Sequence, residues 1–319
     1  MILIISSEED ACTSLVIDWL LFYKKKFLRI SAKDKIDIVH MDVDDFDNTQ
    51  FVLKGTNYRI ADFSHVWYRR SFLILKKTEK VNFSDHILTD TINGQLLDER
   101  IVIRDFFLRE LKKRSLNSQL DNDLNKLEVL ASCRKFGLKT PKTFVTGDKK
   151  SLLDFKLKYG ELIVKNCTPG MLIKNDEHHL GSGTMLLTDE ILEQLPDKFY
   201  PMMFQTEINK AFELRVFYLN GDCYSSAIFS QNDEKTKIDF RNYNFERPNR
   251  TPPFRLPGSF AKKITGLMEE LKLNSGSIDL IVTTEGEFVF LEINPVGQFF
   301  QVSYPCNYYL EKRVAEYFN

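Results

Sequence analysis

Two carboxylates and an amide near the C-terminus could together bind a divalent metal ion. Asp279 and Glu292 lie in two apolar, β-branched and aromatic runs that flank Glu285-Gly286, a pattern that predicts a β-hairpin with a two-residue turn. Counting outward from such a turn places Asp279 directly opposite Glu292, and Asn294 leaves the same face two residues later. Two carboxylates opposite one another repel unless a cation lies between them. Mg²⁺ prefers all-oxygen ligand sets of this kind.

Two alternatives stay open for this acid pair. A hairpin that faces solvent would use its acids only for solubility, and a register shifted by one residue would turn the acids to opposite faces. Both runs are more apolar than an exposed hairpin requires, which favours burial of the hairpin and hence the metal site.

Basic and small residues upstream could bind the phosphates of a nucleotide. Lys165 ends a short apolar run, and Arg215 lies among apolar and aromatic residues, where a buried guanidinium needs an anionic partner. Small side chains let backbone N–H groups approach phosphate oxygens, although a plain hairpin tip has the same composition. Such a segment is formed by Gly181, Ser182, Gly183 and Thr184. With the acid pair, this set suits a nucleoside triphosphate bound with Mg²⁺, and the sequence contains no G-x-x-x-x-G-K-[ST] loop.

A second pair of arginines follows the aromatic run H-V-W-Y. Arg69 and Arg70 could hold a carboxylate or phosphate of a substrate, because guanidinium groups bind such anions in a bidentate way. The competing interpretation is an aromatic strand that ends in exposed charge.

The whole chain narrows the class of protein. It has 319 residues and a formal net charge of −1, so no global attraction to nucleic acid or to an anionic membrane is expected. Its five cysteines form no C-x-x-C pair, and no signal peptide or apolar run of about 18 residues is visible, which predicts reduced thiols in a cytoplasmic protein. A homodimer is expected only because it is the commonest soluble assembly.

The elements around these residues indicate a mixed α/β chain. The sequence opens on a strand–helix pattern, and residues 84–115 predict a long helix, broken or bent near Asn93-Gly94. The polar segment 117–125 predicts a first domain boundary. Asn220-Gly221 predicts a second hairpin, and the charged, proline-rich residues 233–257 predict a long loop.

From about residue 116 to the C-terminus, the order and spacing of short motifs resemble the ATP-grasp ligase superfamily. The motifs are N-K-L (125–127), G-L-K-T-P-K-T (137–143), I-V-K (163–165), F-Q-T-E-I (204–208), E-L-R-V-F (213–217), F-R-N (240–242) and I-D-L-I…L-E-I-N-P (278–295). Q-T-E-I stands where the family often has Q-E-x-I. The resemblance implies an α/β (α+β) ATP-grasp fold. It would comprise an N-terminal α/β pre-ATP-grasp domain (1–116), a central subdomain (117–203) and a C-terminal antiparallel-sheet subdomain (204–319).

The resemblance also implies a role for each matching residue. Lys126 and Lys165 would contact ATP, and residues 181–184 would form the phosphate lid. The adenine hinge would comprise Gln205, Glu207 and Ile208. Arg215 and Arg241 would be the catalytic residues that steady the γ-phosphate and an acyl-phosphate. Magnesium, expected as two ions, would be held by Asp279, Glu292 and Asn294.

Within the superfamily, V-W-Y-R-R, and E-L-R-V-F followed by N-G, look closest to the graspetide peptide maturases. These members use ATP to join Asp or Glu side chains of a precursor peptide to Thr, Ser or Lys side chains by ω-ester or ω-amide bonds. The implied partner is therefore a peptide with a leader and a core. One alternative is another carboxylate–amine ligase, acting on a protein tail or a small molecule. The other is a nucleotide-binding regulatory protein without turnover.

Overall fold

The computed structural model describes residues 1–76, 80–168, 172–174, 179–181, 183–231 and 249–318. These residues form two compact units: residues 1–123 with 298–300 and 309–319, and residues 124–297 with 301–308. Arg241, Ser182 and most of the predicted loop 233–257 lie outside the described residues. The predicted division at residues 203 and 204 stays a prediction, and a single strand runs across it.

The helices and strands follow the chain in this order. The part up to residue 123 contains β1 (Ile2–Ser6), α1 (Ala11–Phe22), β2 (Phe27–Ile30), β3 (Lys35–His40), β4 (Gln50–Leu53), β5 (Thr56–Arg59), β6 (His65–Arg69), β7 (Ile74–Leu75), α2 (His86–Lys112) and β8 (Ser115–Leu116). The part from residue 124 contains α3 (Lys126–Cys133), β9 (Thr143–Asp148), α4 (Lys149–Tyr159), β10 (Leu162–Lys165), β11 (Leu172–Lys174), β12 (His179–Gly181), β13 (Met185–Leu186), α5 (Asp189–Gln194), β14 (Lys198–Thr206), β15 (Lys210–Leu219), β16 (Asp222–Ile228), β17 (Pro253–Phe254), α6 (Gly258–Glu270), β18 (Ser275–Thr283), β19 (Phe288–Asn294), α7 (Phe300–Cys306) and α8 (Leu310–Tyr317).

The first unit is built on a parallel sheet of order β2-β1-β6-β8 and a second sheet of order β5-β4-β3-β7. All five residues of β1 are buried, as expected for a central parallel strand. Asp10 begins α1 by accepting a hydrogen bond from the Thr13 backbone N–H. The predicted strand–helix opening is therefore confirmed.

The long helix α2 is continuous through Asn93 and Gly94, so the prediction that the helix is broken there is wrong, and the alternative of a bend stays a prediction. One glycine lowers helix propensity by only about 1 kcal/mol, which is too little to interrupt 27 residues. Asp85 begins the helix by accepting hydrogen bonds from the first turn. Within the described part of the chain, no helix has the length and apolar character that a bilayer span requires.

The second unit contains two sheets that matter for the site. One is a four-stranded sheet of order β13-β10-β14-β9, and the other is a five-stranded antiparallel sheet of order β17-β16-β15-β18-β19. One face of the five-stranded sheet packs on α3 and α6, because alternate residues of its strands are apolar. The predicted Asn220-Gly221 hairpin joins β15 to β16, with both turn residues at positive φ.

The hairpin of β18 and β19 differs from the prediction at its turn. Thr283 faces Glu287, so the turn has three residues, with Gly286 at φ +83°. A β-bulge then adds one residue to β19 between the Leu280–Phe290 pair and the Asp279–Glu292 pair. The extra turn residue and the bulge offset one another, so the register beyond the bulge is the predicted one.

Candidate active site

The polar face of the five-stranded sheet carries the predicted charged residues. Leu214, Val216 and Leu280 point into the core, so the residues between them on β15 and β18 point to the opposite face. Arg215 and Asp279 are directly opposite across these two strands. The strand alternation therefore places the two charges together without any loop.

The acid pair has the predicted register. Asp279 lies opposite Glu292, and Ser277 lies opposite Asn294. Asp279 is buried, Glu292 is partly buried and Asn294 is exposed. Solvent exposure therefore increases from Asp279 to Asn294. This alignment confirms the predicted juxtaposition of the two carboxylates.

Arg215 forms an ion pair with Asp279, with Nη1 2.5 Å from Oδ1. The two side chains are 11% and 10% exposed, so solvent screens the pair weakly. The Arg215 Nε is buried and donates no hydrogen bond to any described residue. The guanidinium therefore keeps a donor for an additional acceptor.

Two lysines from different elements converge on Glu292. Lys126, the first residue of α3, lies with Nζ 3.6 Å from Glu292 Oε2, and Lys165, the last residue of β10, lies with Nζ 3.7 Å from the same oxygen. Lys126 also approaches the carbonyl oxygens of Asn166 and Thr168 at 3.4 and 3.5 Å. The lysine of the N-K-L motif and the carboxylate of Glu292, almost 170 residues apart in the sequence, therefore lie close together.

Gln205 is 1% exposed on β14, opposite Thr143 and Ile163. Its Nε2 donates to Thr143 Oγ1 at 3.0 Å, whereas its buried Oε1 accepts no hydrogen bond from a described residue. An unsatisfied buried acceptor costs free energy unless a ligand or water completes it. Glu207 is exposed and Ile208 is partly buried in the short link from β14 to β15.

The described residues of the small-residue segment lie at the end of one strand and just before the next. Gly181 ends β12 and pairs with Leu172 of β11, while Gly183 and Thr184 precede β13. Ser182 and Arg241 lie outside the described residues, so their predicted roles stay predictions.

The arginine pair at the end of β6 lies in the first unit. Arg69 is 2% exposed, its Nε lies 3.3 Å from Asp10 Oδ2, and its guanidinium stacks 5.5 Å from the Phe299 ring centroid. Arg70 is exposed and adopts φ 46°. The burial of Arg69 favours a structural contribution, and the exposure of Arg70 leaves it accessible to an anion.

A buried ion pair beside Arg215 was missed by the sequence argument. Lys210 Nζ lies 2.6 Å from Glu213 Oε1, and Ser230 Oγ donates to Glu213 Oε2 at 2.7 Å. Burial raises the pKa of Glu213, and the nearby Asp279 carboxylate adds to that effect. The signal that could have found the pair was a lysine and a glutamate three residues apart at the start of an otherwise apolar strand.

Gly297 is a second residue that the sequence argument missed. A Cβ at this position would lie 2.3 Å from Ser277 Cβ and 3.0 Å from the Asn294 carbonyl oxygen. The Gly297 N–H donates to that same carbonyl oxygen and closes a turn after β19. The glycine therefore lets the turn pack directly against the strand that carries Asp279.

The donor set fits a magnesium-bound triphosphate. Within the described ranges, no three His, Cys, Asp or Glu side chains gather into a metal cluster. The predicted set has two carboxylates and an amide oxygen, which matches the oxygen ligands of Mg²⁺ when water and phosphate complete the shell. The cluster contains three cationic side chains and two carboxylates. Its net charge is therefore positive and can attract a phosphate chain.

This fold, with a cationic cluster over an opposed acid pair, is similar to the fold of solved ATP-grasp ligases. No protein-family model matches the chain, and no curated protein matches it either. Several solved structures, in contrast, match the chain. The macrocyclase MdnC of Microcystis aeruginosa MRC, solved with precursor peptide MdnA, is 25% identical, with a TM-score of 0.76 over 99% of this chain and 98% of that chain.

A RiPP-associated ATP-grasp ligase of Chryseobacterium gregarium, solved with ADP and a leader and core peptide, is 26% identical. Its TM-score is 0.77, over 99% of this chain and 94% of that chain. The ATP-grasp ligase PsnB, solved with minimal precursor, Mg and ADP, shares the fold at 16% identity and a TM-score of 0.71 over 99% of this chain and 95% of that chain. These comparisons confirm the resemblance to the peptide-modifying ATP-grasp ligases.

Proposed function

We propose that the chain is an ATP-dependent, ADP-forming ligase that links side chains within a ribosomally made precursor peptide. The observation that carries the proposal is the convergence of Lys126, Lys165 and Arg215 on the opposed acids Asp279 and Glu292. Structures that match 99% of the chain include a macrocyclase solved with a precursor peptide and an ATP-grasp ligase solved with a leader and core peptide.

The proposed nucleotide contacts use one buried acceptor on Gln205 and the two lysines that converge on Glu292. The buried Gln205 Oε1 would accept a hydrogen bond from the adenine amino group, with Glu207 and Ile208 beside it. Lys126 and Lys165 would move from Glu292 to the phosphate chain, because phosphoryl oxygens carry more charge than one carboxylate. Residues 181–184 would cover the phosphates, and Arg241 would join them at the γ-phosphate.

The reaction needs positioning and charge neutralisation rather than a protein nucleophile. An Asp or Glu carboxylate oxygen of the peptide attacks the γ-phosphorus of ATP, the bond from that phosphorus to the β,γ-bridging oxygen breaks, ADP leaves and an acyl-phosphate remains on the peptide. A Thr or Ser hydroxyl, or a Lys amine, then attacks the acyl carbon, phosphate departs and the nucleophile loses its proton. Each link therefore removes the elements of one water from the peptide. Arg215 would steady the charge that develops on the transferred group.

Asp279, Glu292 and Asn294 would hold magnesium, for which we propose two ions. Bound there, magnesium would neutralise charge on the phosphoryl oxygens. The pairing of Asp279 with Arg215 keeps that carboxylate oriented toward the site.

The peptide partner would dock by its leader and present acidic core residues. We propose Arg70 as a contact for a core carboxylate, while its neighbour Arg69 pairs with Asp10. The leader surface is proposed to lie on the first unit or on residues 233–257. We also propose that the enzyme acts as a homodimer.

ADP release with candidate peptides tests the function. The peptide to try is one encoded beside the gene and rich in Thr, Ser, Glu and Asp. The proposal requires ADP release that depends on this peptide and on Mg²⁺, and that disappears in Glu292→Gln. ADP release driven equally by free glutamate or by a protein tail would replace it with the carboxylate–amine ligase. Absence of ADP release with any acceptor would leave only a regulatory nucleotide-binding protein.

A further inference from the structure

Buried polar atoms without a hydrogen bond mark two places in the second unit. Among its described residues, these side-chain atoms are Gln205 Oε1, Arg215 Nε and Ser226 Oγ. Each such atom costs free energy in the free protein, so each calls for a ligand, water or ion that completes it. The proposed function assigns Gln205 to the adenine, and it leaves the fully buried hydroxyl of Ser226 without a contact.

Ser226 lies beside Arg215 on the polar face of the five-stranded sheet. The two residues are directly opposite one another on β16 and β15. The next residue, Ala227, belongs to the core on the other face, so the Ser226 side chain points to the same side as Arg215. Directly opposite residues of an antiparallel pair have Cβ atoms about 5 Å apart. One small anion can therefore accept hydrogen bonds from the Ser226 hydroxyl and from Arg215 Nε together.

The position of Ser226 in the sheet indicates which anion it binds. One row across β16, β15, β18 and β19 consists of Ser226, Arg215, Asp279 and Glu292. Neighbouring strands are about 4.8 Å apart, so Ser226 lies about 14 Å from Glu292, the end of the row proposed for magnesium and the phosphates. The guanidinium of Arg215 separates Ser226 from the carboxylate of Asp279. The Ser226 end of the row therefore suits the group that receives the phosphoryl, the carboxyl group of the peptide.

We propose that Ser226 is a further catalytic residue, which donates a hydrogen bond to the oxygen of the peptide carboxyl group that does not become phosphorylated. This assignment rests on the proposed function. In the first step the other carboxylate oxygen bonds to the γ-phosphorus, the bond to the β,γ-bridging oxygen breaks and ADP leaves. In the second step the peptide hydroxyl or amine bonds to the acyl carbon, and the electron pair of the C=O bond moves onto the oxygen held by Ser226. That pair then returns, the bond to phosphate breaks, and the proton of the nucleophile passes to the departing phosphate.

The Ser226 hydroxyl and Arg215 Nε together form an oxyanion hole for the second step. Negative charge develops on the acyl oxygen there, and donors fixed in a buried site stabilise such charge more than water does. Loss of one donor of this kind lowers kcat by about 100- to 1000-fold. The hydrogen bonds that both groups lack in the free protein are the stability cost of holding the donors ready for the transition state.

The ratio of ADP released to links formed tests the role of Ser226. The wild type should release one ADP for each link. Ser226→Ala should lower the kcat of link formation by about 100-fold and leave the KM for ATP unchanged. Its ratio should rise, because the acyl-phosphate waits longer for the nucleophile and is hydrolysed by water. Its Tm should not fall, because the variant removes a buried hydroxyl that no described residue satisfies. Ser226→Thr keeps a hydroxyl and should keep the ratio near one.

Ser225→Ala is the matched control on the same strand. The Ser225 side chain lies on the opposite face of the sheet, where its hydroxyl donates to the Phe254 carbonyl oxygen. Loss of this hydrogen bond should lower the Tm and leave the ratio of ADP to links at one. A ratio of one in Ser226→Ala, or equal ratios in Ser226→Ala and Ser226→Thr, overturns the proposal while the proposed function stands. A wild type without peptide-dependent ADP release overturns the proposed function itself, so the two failures are distinguishable.

Discussion

Asp279→Ala should destabilise the second unit strongly, because Asp279 is the charged partner of a nearly buried arginine. The Arg215–Asp279 pair is 2.5 Å long and its side chains are 11% and 10% exposed. Removing one partner of such a pair costs about 3–5 kcal/mol, since the remaining charge stays desolvated. Asp279→Asn keeps an acceptor for the guanidinium and should cost about 1–2 kcal/mol, the difference between a charged and a neutral hydrogen bond.

Thermal unfolding of wild type, Asp279→Ala, Arg215→Met and the double variant Arg215→Met/Asp279→Ala measures the effect. For a unit of this size about 1 kcal/mol corresponds to roughly 2–4 °C, so Asp279→Ala should lower the Tm by roughly 10 °C. Arg215→Met/Asp279→Ala should recover much of this loss, because it removes both charges. The coupling energy should be about 2 kcal/mol or more. Equal Tm values for wild type and Asp279→Ala, or purely additive single variants, would refute the pairing of these residues.

Four further predictions concern the candidate site. Glu292→Gln should reduce ADP formation by at least about 100-fold with a small change in Tm, because it removes the carboxylate between two lysines but no core contact. Gly297→Ala should lower both Tm and Mg-ATP affinity in calorimetry, since its methyl group would clash with β18. Iodoacetamide at pH 8 should alkylate the exposed Cys167, and Mg-ATP should slow this reaction, because the cysteine follows Lys165 by two residues. ATP at 100 times its dissociation constant should raise the free energy of unfolding by about 2.7 kcal/mol and so raise the Tm. EDTA should abolish this rise in Tm.

Matched controls separate these effects from general damage. Glu287→Gln changes an exposed acid in the same hairpin, and Gly258→Ala adds a methyl group where nothing lies within 4 Å; neither should alter turnover. Cys133 should resist alkylation in the folded protein, because burial raises its pKa to about 12 and leaves almost no thiolate at pH 8. Loss of activity in Glu287→Gln would contradict the assignment of the site. Alkylation of Cys133 before Cys167 would contradict the fold.

The hairpin of β18 and β19 shows which features can be predicted from the sequence and which cannot. Alternation and turn chemistry placed Asp279 opposite Glu292, which is correct, but through a two-residue turn that the structure does not have. The structure adds a third turn residue and a bulge, and next to the bulge the Phe290 N–H donates to the Lys139 carbonyl oxygen, a contact between residues distant in sequence that no local pattern encodes.

Arg69 and helix α2 show the same limit of prediction from local sequence patterns. A charged residue that ends a strand reads as exposed, yet Arg69 is buried because Asp10 and Phe299, distant in sequence, close over it. The apolar spacing of α2 predicted its helix correctly, and the expectation of a break overweighted one glycine. Local propensity identified the elements, whereas burial depended on contacts between distant residues.

The most direct test of the central claim is mass spectrometry of the neighbouring-gene peptide after incubation with the enzyme, ATP and Mg²⁺. The proposed function predicts loss of one water for each link formed, dependent on ATP and absent with Glu292→Gln. Fragmentation should place each link between an Asp or Glu and a Thr, Ser or Lys side chain. An unchanged peptide mass, despite ADP release that depends on the peptide, would contradict the claim that this chain closes rings in a precursor peptide.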